Sequence, residues 1–199
     1  MGALILRGLS KNFGEKHLFA ELSYEFPERG LFLLLGGSGS GKTTLLRMIA
    51  GLDGDYQGSI EGGGSEAVSM AFQEHRLFPI LASLSNVAEP LRAEGFDRQS
   101  AEARAREALL AVGFPEGDFK TRPSALSGGM RQRVSLARAM ASRRPVLLLD
   151  EPEKELDEHL RERLHEAILR EAAERLVIVV THTPERLLPF ADGSLVLTV

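Results

Sequence analysis

The segment that most constrains the fold is a glycine-rich loop between a strand-like stretch and a helix-like stretch. Gly36–Thr43 reads GGSGSGKT and matches the pattern G-x-x-x-x-G-K-[ST] at every position. The apolar run Leu31–Leu35 before it is typical of a strand buried on both faces. Lys42–Ala50 is typical of a helix that ends at Gly51. This order places backbone N–H groups around an anion at a helix N-terminus, which predicts a phosphate-binding loop.

Two side chains of this loop have chemistry suited to a nucleotide. Lys42 carries a mobile positive charge for β- and γ-phosphates, and the Thr43 hydroxyl is placed to ligate Mg²⁺. A glycine-rich turn that binds nothing is the alternative, but the lysine and the strand-to-helix context favour nucleotide binding. The predicted nucleotide-binding residues of this segment are Gly36, Gly37, Ser38, Gly39, Ser40, Gly41, Lys42, Thr43 and Thr44.

A second strand-like segment is followed by two acidic residues. Val146–Leu149 is continuously apolar, and Asp150 and Glu151 come directly after it. Ligands in parallel α/β sheets bind at the carboxyl ends of the strands, so both acids are expected beside the phosphate loop. We predict that Asp150 holds Mg²⁺ and that Glu151 acts as a general base toward an attacking water. A solvated strand end is the alternative, because Glu151 begins an acidic run that extends to Glu158.

The other segments alternate between strand-like and helix-like patterns, which predicts an α/β fold with a parallel sheet. Gln99–Val112 and Met130–Ser142 are helix-like and belong to an expected helical insertion. Glu158–Ala173 has leucine and isoleucine at steps of four, which is typical of an amphipathic helix. Further strand-like segments are Val68–Phe72, Val177–Val180 and Leu195–Val199.

Composition excludes several classes of function. The 199 residues include 24 Lys and Arg against 28 Asp and Glu, and the net charge of −4 argues against a nucleic-acid-binding protein. The absence of cysteine excludes disulfides, thiol catalysis and cysteine-ligated zinc. No apolar run approaches the roughly 18 residues of a membrane-spanning helix. The N-terminal residues lack the pattern of a signal peptide, so a cytoplasmic location is expected.

The segment Leu126–Arg133, which reads LSGGMRQR, is similar to the signature motif of ABC ATPases, the nucleotide-binding subunits of ABC transporters. It stands before the acidic strand end and at the start of a helix, as in that family. The resemblance implies a P-loop NTPase with a RecA-like core, an antiparallel β subdomain and an inserted α-helical subdomain. It implies one domain over 1–199, in which 1–75 and 143–199 form the nucleotide-binding core with the β subdomain and 76–142 forms the helical signature subdomain.

The resemblance also implies site residues outside the phosphate loop. Ser127, Gly128 and Gly129 would face the γ-phosphate bound by a second subunit, so that two chains enclose two ATP molecules in a head-to-tail dimer. Phe13 would stack on adenine, with a core or loop aromatic as the alternative. The implied catalytic residues are Glu151, His182, Gln73 and Lys42, and the implied Mg²⁺ ligands are Thr43, Gln73 and Asp150.

Three loop residues have counterparts in the family. Gln73 resembles the Q-loop glutamine that touches Mg²⁺ and the attacking water. His182, after a strand-like segment, resembles the switch histidine that contacts the γ-phosphate. Asp157 resembles the D-loop aspartate, but Lys154 and Glu155 stand where the family usually has Ser and Ala. These two charges fall in a loop that lines the dimer interface in the family.

Phe72–Pro79 and Leu126–Val134 are similar to the nitrate, sulfonate and taurine importer branch. The implied protein hydrolyses ATP to drive import of a small anion or organic solute. Its implied partners are a second copy or a paralogous ATPase subunit, transmembrane permease subunits that hold it on the cytoplasmic face of the membrane, and an extracytoplasmic solute-binding protein. A non-transport ATP-driven clamp and a regulatory subunit that binds ATP without hydrolysing it are the alternatives.

Four histidines and five arginines are expected at the surface. The histidines without metal-ligand spacing are His17, His75, His159 and His165. A basic group is expected on a solvated helix face, with contact to an anionic partner as the alternative; it consists of Arg131, Arg133, Arg138, Arg143 and Arg144.

Overall fold

Strands and helices alternate along the chain, as the apolar segments predict. The structure is a computed structural model that describes residues 3–14 and 16–198. Its strands are β1 (Ile5–Phe13), β2 (Lys16–Glu25), β3 (Gly30–Gly36), β4 (Gln57–Glu61), β5 (Val68–Ala71), β6 (Val146–Asp150), β7 (Leu176–Val180) and β8 (Gly193–Leu197). Its α-helices are α1 (Lys42–Ile49), α2 (Ser83–Ala93), α3 (Arg98–Ala111), α4 (Gly128–Ala141) and α5 (Glu158–Glu174).

The strands form two sheets. β2, β1 and β4 form an antiparallel sheet in that order. The second sheet has the order β5-β6-β7-β3-β8, and its neighbours β6, β7, β3 and β8 are parallel to one another. β6 and β7 are buried along their whole length, as continuous apolar strands inside a parallel sheet are. The predicted α/β fold with a parallel sheet and an antiparallel β part is confirmed.

The register of the parallel strands sets where the functional loops begin. Val180 at the end of β7 pairs with Asp150 of β6 on one side and with Leu34 of β3 on the other. β3 ends at Gly36, so the glycine-rich loop and the acid at the end of β6 leave the sheet from the same carboxyl edge. His182 follows Val180 by two residues and leaves from this edge as well.

The chain forms two compact units, and each has its own buried side chains. Among the residues that the structure describes, the first unit consists of those within 1–70, 144–150 and 171–199, and the second consists of 71–143 and 151–170. Leu46 and Ile178 belong to the hydrophobic core of the first unit. Leu109 and Phe114 are buried in the second unit. The insertion expected over 76–142 lies within this second unit, which also contains the segment after β6.

Two helices of the second unit differ from the prediction. α4 begins at Gly128 rather than at Met130, because the Ser127 hydroxyl accepts a hydrogen bond from the Met130 N–H (3.2 Å) and caps the helix earlier. The sequence patterns do not predict α2, because Pro90 lies inside it and an interior proline usually ends a helix. The buried Asn86 side chain stabilises α2 instead, since its amide donates to three preceding backbone carbonyls.

The last strand of the parallel sheet begins earlier than its apolar pattern predicts. β8 begins at Gly193, two residues before its predicted start, because Gly193 already pairs with Phe32 of β3. Val199, the predicted last strand residue, lies outside the described residues. Within the described ranges, none of the helices is long and apolar enough to cross a membrane.

Candidate nucleotide-binding and catalytic site

The phosphate loop closes around its own lysine. Lys42 Nζ donates hydrogen bonds to the carbonyl oxygens of Gly36 (2.8 Å) and Gly37 (2.9 Å), and the residue is buried. Gly41, with φ of 93°, is the N-cap of α1 and has no side chain to bond the first helical N–H groups. These N–H groups are suited to an anion, and the ammonium group adds positive charge at the same helix end.

Two positions of this loop accept only glycine. A Cβ at Gly36, where φ is 145°, would lie 2.5 Å from the carbonyl oxygen of Leu197. A Cβ at Gly41, where φ is 93°, would lie 2.7 Å from side-chain atoms of Leu18. Ser40 Oγ is buried in the same loop and has no hydrogen-bond partner within the described residues. A buried hydroxyl without a partner is costly, so this loop fits a ligand with acceptor oxygens.

The carboxyl edge of the parallel sheet holds further predicted site residues of the first unit. Asp150 ends β6, is only 2% exposed and lies level with the end of β7. His182 follows β7 and is exposed. The Thr181 hydroxyl before it accepts a hydrogen bond from the Thr183 N–H (3.0 Å). Three site elements therefore follow strand ends at the carboxyl edge of the parallel sheet, namely Asp150, His182 and the phosphate loop. Parallel α/β sheets bind their ligands at this edge.

In the second unit, two predicted site residues from distant parts of the sequence meet directly. Gln73 Nε2 donates a hydrogen bond to Glu151 Oε2 at 3.2 Å. The Glu151 backbone has φ of 50°, a left-handed conformation that is uncommon for a residue with a side chain. A carboxylate has acceptor capacity on both oxygens, so a carboxylate held in this way is able to orient a water and take its proton.

The signature segment begins a helix and packs against a loop of the same unit. Ser127 is the N-cap of α4 and is exposed. A Cβ at Gly128 would overlap the Glu155 carboxylate. A Cβ at Gly129 would lie 2.7 Å from the Glu155 carbonyl oxygen. The two glycines therefore have a packing role that the sequence does not predict.

Alanine substitutions at these two glycines are expected to have different costs. Gly128→Ala meets the flexible end of the Glu155 side chain, whereas Gly129→Ala meets backbone that has to shift. We expect the first to lower the free energy of unfolding by less than about 1 kcal/mol and the second by about 1–3 kcal/mol. Urea unfolding of both variants, alone and combined with Glu155→Ala, measures the difference. The truncation should restore the stability of Gly128→Ala only; restoration of both contradicts the assigned contacts.

Two histidines expected at the surface are partly buried beside carboxylates. His75 Nε2 lies 4.0 Å from Glu155 Oε2. Burial lowers the pKa of His75, and the Glu155 carboxylate opposes this shift. His165 hydrogen-bonds the Glu153 carboxylate, and their side chains are only 13% and 9% exposed. The surface prediction is therefore wrong for these two, whereas the other two histidines are exposed.

The prediction of a solvated arginine face is also wrong for most of its members. Arg133 and Arg138 donate to backbone carbonyl oxygens at 2.7 and 3.0 Å. Arg131 and Arg144 do the same at 2.8 and 3.0 Å, and Arg143 is exposed. Burial lowers the pKa of the Arg133 and Arg138 guanidinium groups. These side chains hold loops in place through their multiple donors, a role that charge patterning does not indicate.

The residue predicted to stack on adenine is at the end of β1. Phe13 is the last residue of that strand, and its side chain lies outside the part of the chain that the structure describes. The stacking role therefore stays a prediction. Two residues earlier, buried Lys11 donates to Asp53 Oδ1 at 3.0 Å and ties this end of β1 to the loop after α1.

Sequence reasoning missed Gln132, a buried polar residue next to Glu151. Its Nε2 donates to the carbonyl oxygen of Pro152 at 3.2 Å. Gln132 precedes Leu136 by four positions and Ala139 by seven, which places it on the apolar face of α4. A polar residue at a helix position where the spacing predicts an apolar one is the sequence signal for a buried polar side chain.

Sequence comparison decides the family. The family model described as ABC transporter matches residues 19–154, which is more than half of the chain. The chain belongs to the ABC transporter family. This confirms the resemblance of the signature segment and the phosphate loop to ABC ATPases.

Curated members of the ABC transporter family are similar over nearly the whole chain. The Fe(3+) ions import ATP-binding protein FbpC 1 of Rhizobium meliloti (strain 1021) is 41% identical over 208 residues, covering 98% of this chain and 58% of that protein. The Aliphatic sulfonates import ATP-binding protein SsuB 2 of Rhodococcus jostii (strain RHA1) is 43% identical over 202 residues, covering 98% of this chain and 78% of that protein. The chain thus spans 58% of the length of the FbpC relative.

Solved structures of ABC transporter cassettes have the same fold. The dimeric post-hydrolysis structure of the ATP-binding cassette MJ0796 bound to ADP and Pi has a TM-score of 0.88 and 27% identity, covering 98% of this chain and 94% of that chain. A further dimeric structure of MJ0796, a bacterial ABC transporter cassette, has a TM-score of 0.86. The predicted ABC ATPase fold is confirmed.

Proposed function

We propose that this chain is the ATP-binding subunit of an ABC importer and hydrolyses ATP at the interface of a head-to-tail dimer. The observation that carries the proposal is the hydrogen bond from Gln73 to Glu151, because it supplies an oriented carboxylate in a chain that also has a phosphate loop. The names of the two relatives support import, since each is an import ATP-binding protein, for Fe(3+) ions or for aliphatic sulfonates. We place the solute among small anions and organic solutes.

The phosphate loop would bind the triphosphate of ATP. The first N–H groups of α1 and the Ser40 hydroxyl would donate to phosphate oxygens. Lys42 would exchange its two carbonyl partners for oxygens of the β- and γ-phosphates, which are stronger acceptors because they are charged. Phe13 would stack on the adenine ring.

Three residues would hold Mg²⁺. Thr43 and Asp150, both in the first unit, provide a hydroxyl and a carboxylate oxygen, and Gln73 would provide an amide oxygen. Oxygen ligands of these types are the ones that Mg²⁺ prefers. When bound, the ion would neutralise charge on the phosphoryl group that is transferred.

Glu151 would act as the general base of hydrolysis. Its carboxylate would take a proton from the water that attacks the γ-phosphate, while the Gln73 amide keeps that carboxylate oriented. His182, exposed after β7, would contact the γ-phosphate. Lys42 would stabilise the charge that develops on the phosphate oxygens.

A second copy of the chain, or a paralogous ATPase subunit, would complete each site. Ser127 is exposed at the N-terminus of α4, where the helix dipole and the first N–H groups favour a negative charge. Gly128 and Gly129 would face the same γ-phosphate. The dimeric state described for MJ0796 with ADP and Pi supports this arrangement.

A transmembrane permease would dock on an apolar part of the second unit. Phe78 and Ile80 flank Pro79 and are 46% and 76% exposed. Burial of such side chains against a partner is favourable by the hydrophobic effect. The permease would hold the chain on the cytoplasmic face of the membrane, and an extracytoplasmic solute-binding protein would deliver the solute to it.

The permease contact is tested by Ile80→Asp. A buried carboxylate would replace apolar contact worth about 1.5–3 kcal/mol, so recovery of the permease should fall about tenfold or more. The chain, as wild type or variant, is used as bait in membrane extracts. Quantitative mass spectrometry then measures how much of the polytopic protein that co-purifies with the wild type is recovered with each variant. Leu188→Asp, an exposed apolar residue of the first unit, is the matched control. Equal recovery with Ile80→Asp and wild type would rule out this docking site.

The activity is tested by release of inorganic phosphate from ATP over many turnovers. We expect turnover with Mg²⁺ and none with a chelator present. Binding of ATP without turnover would favour the regulatory subunit, an alternative motivated by the Lys154 and Glu155 charges. Strong, salt-dependent binding to nucleic acid would favour the ATP-driven clamp instead.

A further inference from the structure

Gln132 is a buried amide that connects two functional segments of the second unit. The residue is 2% exposed. Its Nε2 donates to the carbonyl oxygen of Pro152 at 3.2 Å and lies 3.5 Å from that of Glu151. Buried amides are costly unless bonded. The side chain therefore acts as a fixed link between α4 and the segment that begins with Glu151.

The backbone at Glu151 needs such a link. Its φ of 50° is a sparsely populated conformation, and such a conformation persists only where its surroundings hold it. The Lys154 N–H bonds to the Glu151 carbonyl oxygen at 3.3 Å within the local turn. Gln132 contacts the same Glu151 carbonyl from α4, which lies outside the local turn. This contact therefore restrains the Glu151 backbone relative to α4, which the local turn cannot do.

We propose that Gln132 is a positioning residue that holds the Glu151 backbone so that the carboxylate meets Gln73. This inference rests on the proposed function, in which Ser127 faces the ATP of the partner and Glu151 acts on the ATP of its own chain.

The test is Gln132→Met in the full chain. Methionine keeps the length and approximate volume of glutamine but has no N–H donor. We expect kcat for ATP hydrolysis to fall about 10- to 100-fold, as for a misplaced catalytic group, with KM for ATP within error of wild type. The melting temperature should fall by only about 2–4 °C, because one buried hydrogen bond is lost. Gln132→Asn keeps an amide on a shorter stem and should recover part of kcat. Ser135→Ala removes a buried hydroxyl of the same helix that has no partner within the described residues, and it should leave kcat unchanged.

The outcomes separate this inference from the proposed function. An active wild type, an inactive Glu151→Gln and a Gln132→Met variant with wild-type kcat would overturn the positioning role alone. A loss of kcat accompanied by an equal change in KM, or no recovery with Gln132→Asn, would also overturn it in favour of a structural role. Should the methionine variant fail to fold, the kcat and KM of Gln132→Asn decide the question. An inactive wild type would overturn the proposed function itself.

Discussion

Replacement of Glu151 by Gln is expected to lower kcat for ATP hydrolysis about 10²- to 10⁴-fold, the range that a positioned general base contributes. The glutamine amide has the shape of the carboxylate, and its oxygen accepts the hydrogen bond from Gln73 that the carboxylate accepts at 3.2 Å. It has no basic oxygen to take a proton from water. Because the phosphate loop is unchanged, ATP binding should stay intact and the ATP-bound dimer should accumulate.

The measurement combines phosphate release with size-exclusion chromatography in the presence of Mg²⁺ and ATP. Glu162→Gln, an exposed glutamate of α5, is the control for removal of one negative charge and should behave as wild type. Hydrolysis by Glu151→Gln at the wild-type rate would contradict the base assignment. A variant that does not bind ATP would instead show that the carboxylate is needed for the site to form.

Replacement of Lys42 by Met is expected to weaken ATP binding about 10- to 100-fold. The ammonium group now bonds the Gly36 and Gly37 carbonyls and would turn to the phosphates on binding. Loss of a hydrogen bond to a charged group is worth about 1.5–3 kcal/mol, and each 1.4 kcal/mol is about a tenfold change in Kd. Lys42→Met also removes the Nζ donor that bonds the Gly36 and Gly37 carbonyl oxygens. The loop conformation that these hydrogen bonds stabilise therefore becomes less favourable.

Calorimetric titration with a non-hydrolysable ATP analogue measures this effect. Binding of adenosine, which has no phosphate, should be the same for wild type and Lys42→Met. Lys120→Met, which removes an exposed lysine of the second unit, tests for a general effect of charge and should leave Kd unchanged. A Kd of Lys42→Met equal to that of wild type would contradict the phosphate-binding role of the loop.

The fold and the strand-end residues were predictable because their signals are local. Continuous apolar runs predict buried parallel strands, and all parallel strands of one sheet end at one edge. Asp150 and the loop after Gly36 therefore had to leave the same edge once β6 and β3 were identified. The start of α4 and the existence of α2 were less predictable. The Ser127 hydroxyl caps α4 two residues before its predicted start, and α2 forms although it contains Pro90, a residue that usually ends a helix.

The contacts of the second unit were not predictable from patterns. Glu155 looks like a solvated acid in an acidic run, but it packs on the signature glycines and lies near His75. Charge patterning places Arg138 on a solvated face, whereas its guanidinium group donates to a backbone carbonyl at 3.0 Å. These residues are polar, and polar side chains can lie at the surface or in a bonded buried site with the same local sequence.

The sequence by itself determined the phosphate loop, the acidic strand end and the family. Each is identified from consecutive residues whose chemistry depends little on the rest of the chain. Only the tertiary structure decided that Gln73 holds Glu151, that Glu155 fills the space beside the signature glycines and that Gln132 bonds the backbone after β6. Each of these contacts joins segments far apart in sequence. Their geometry follows from how the helices and loops of the second unit pack, and no spacing along the chain encodes that packing.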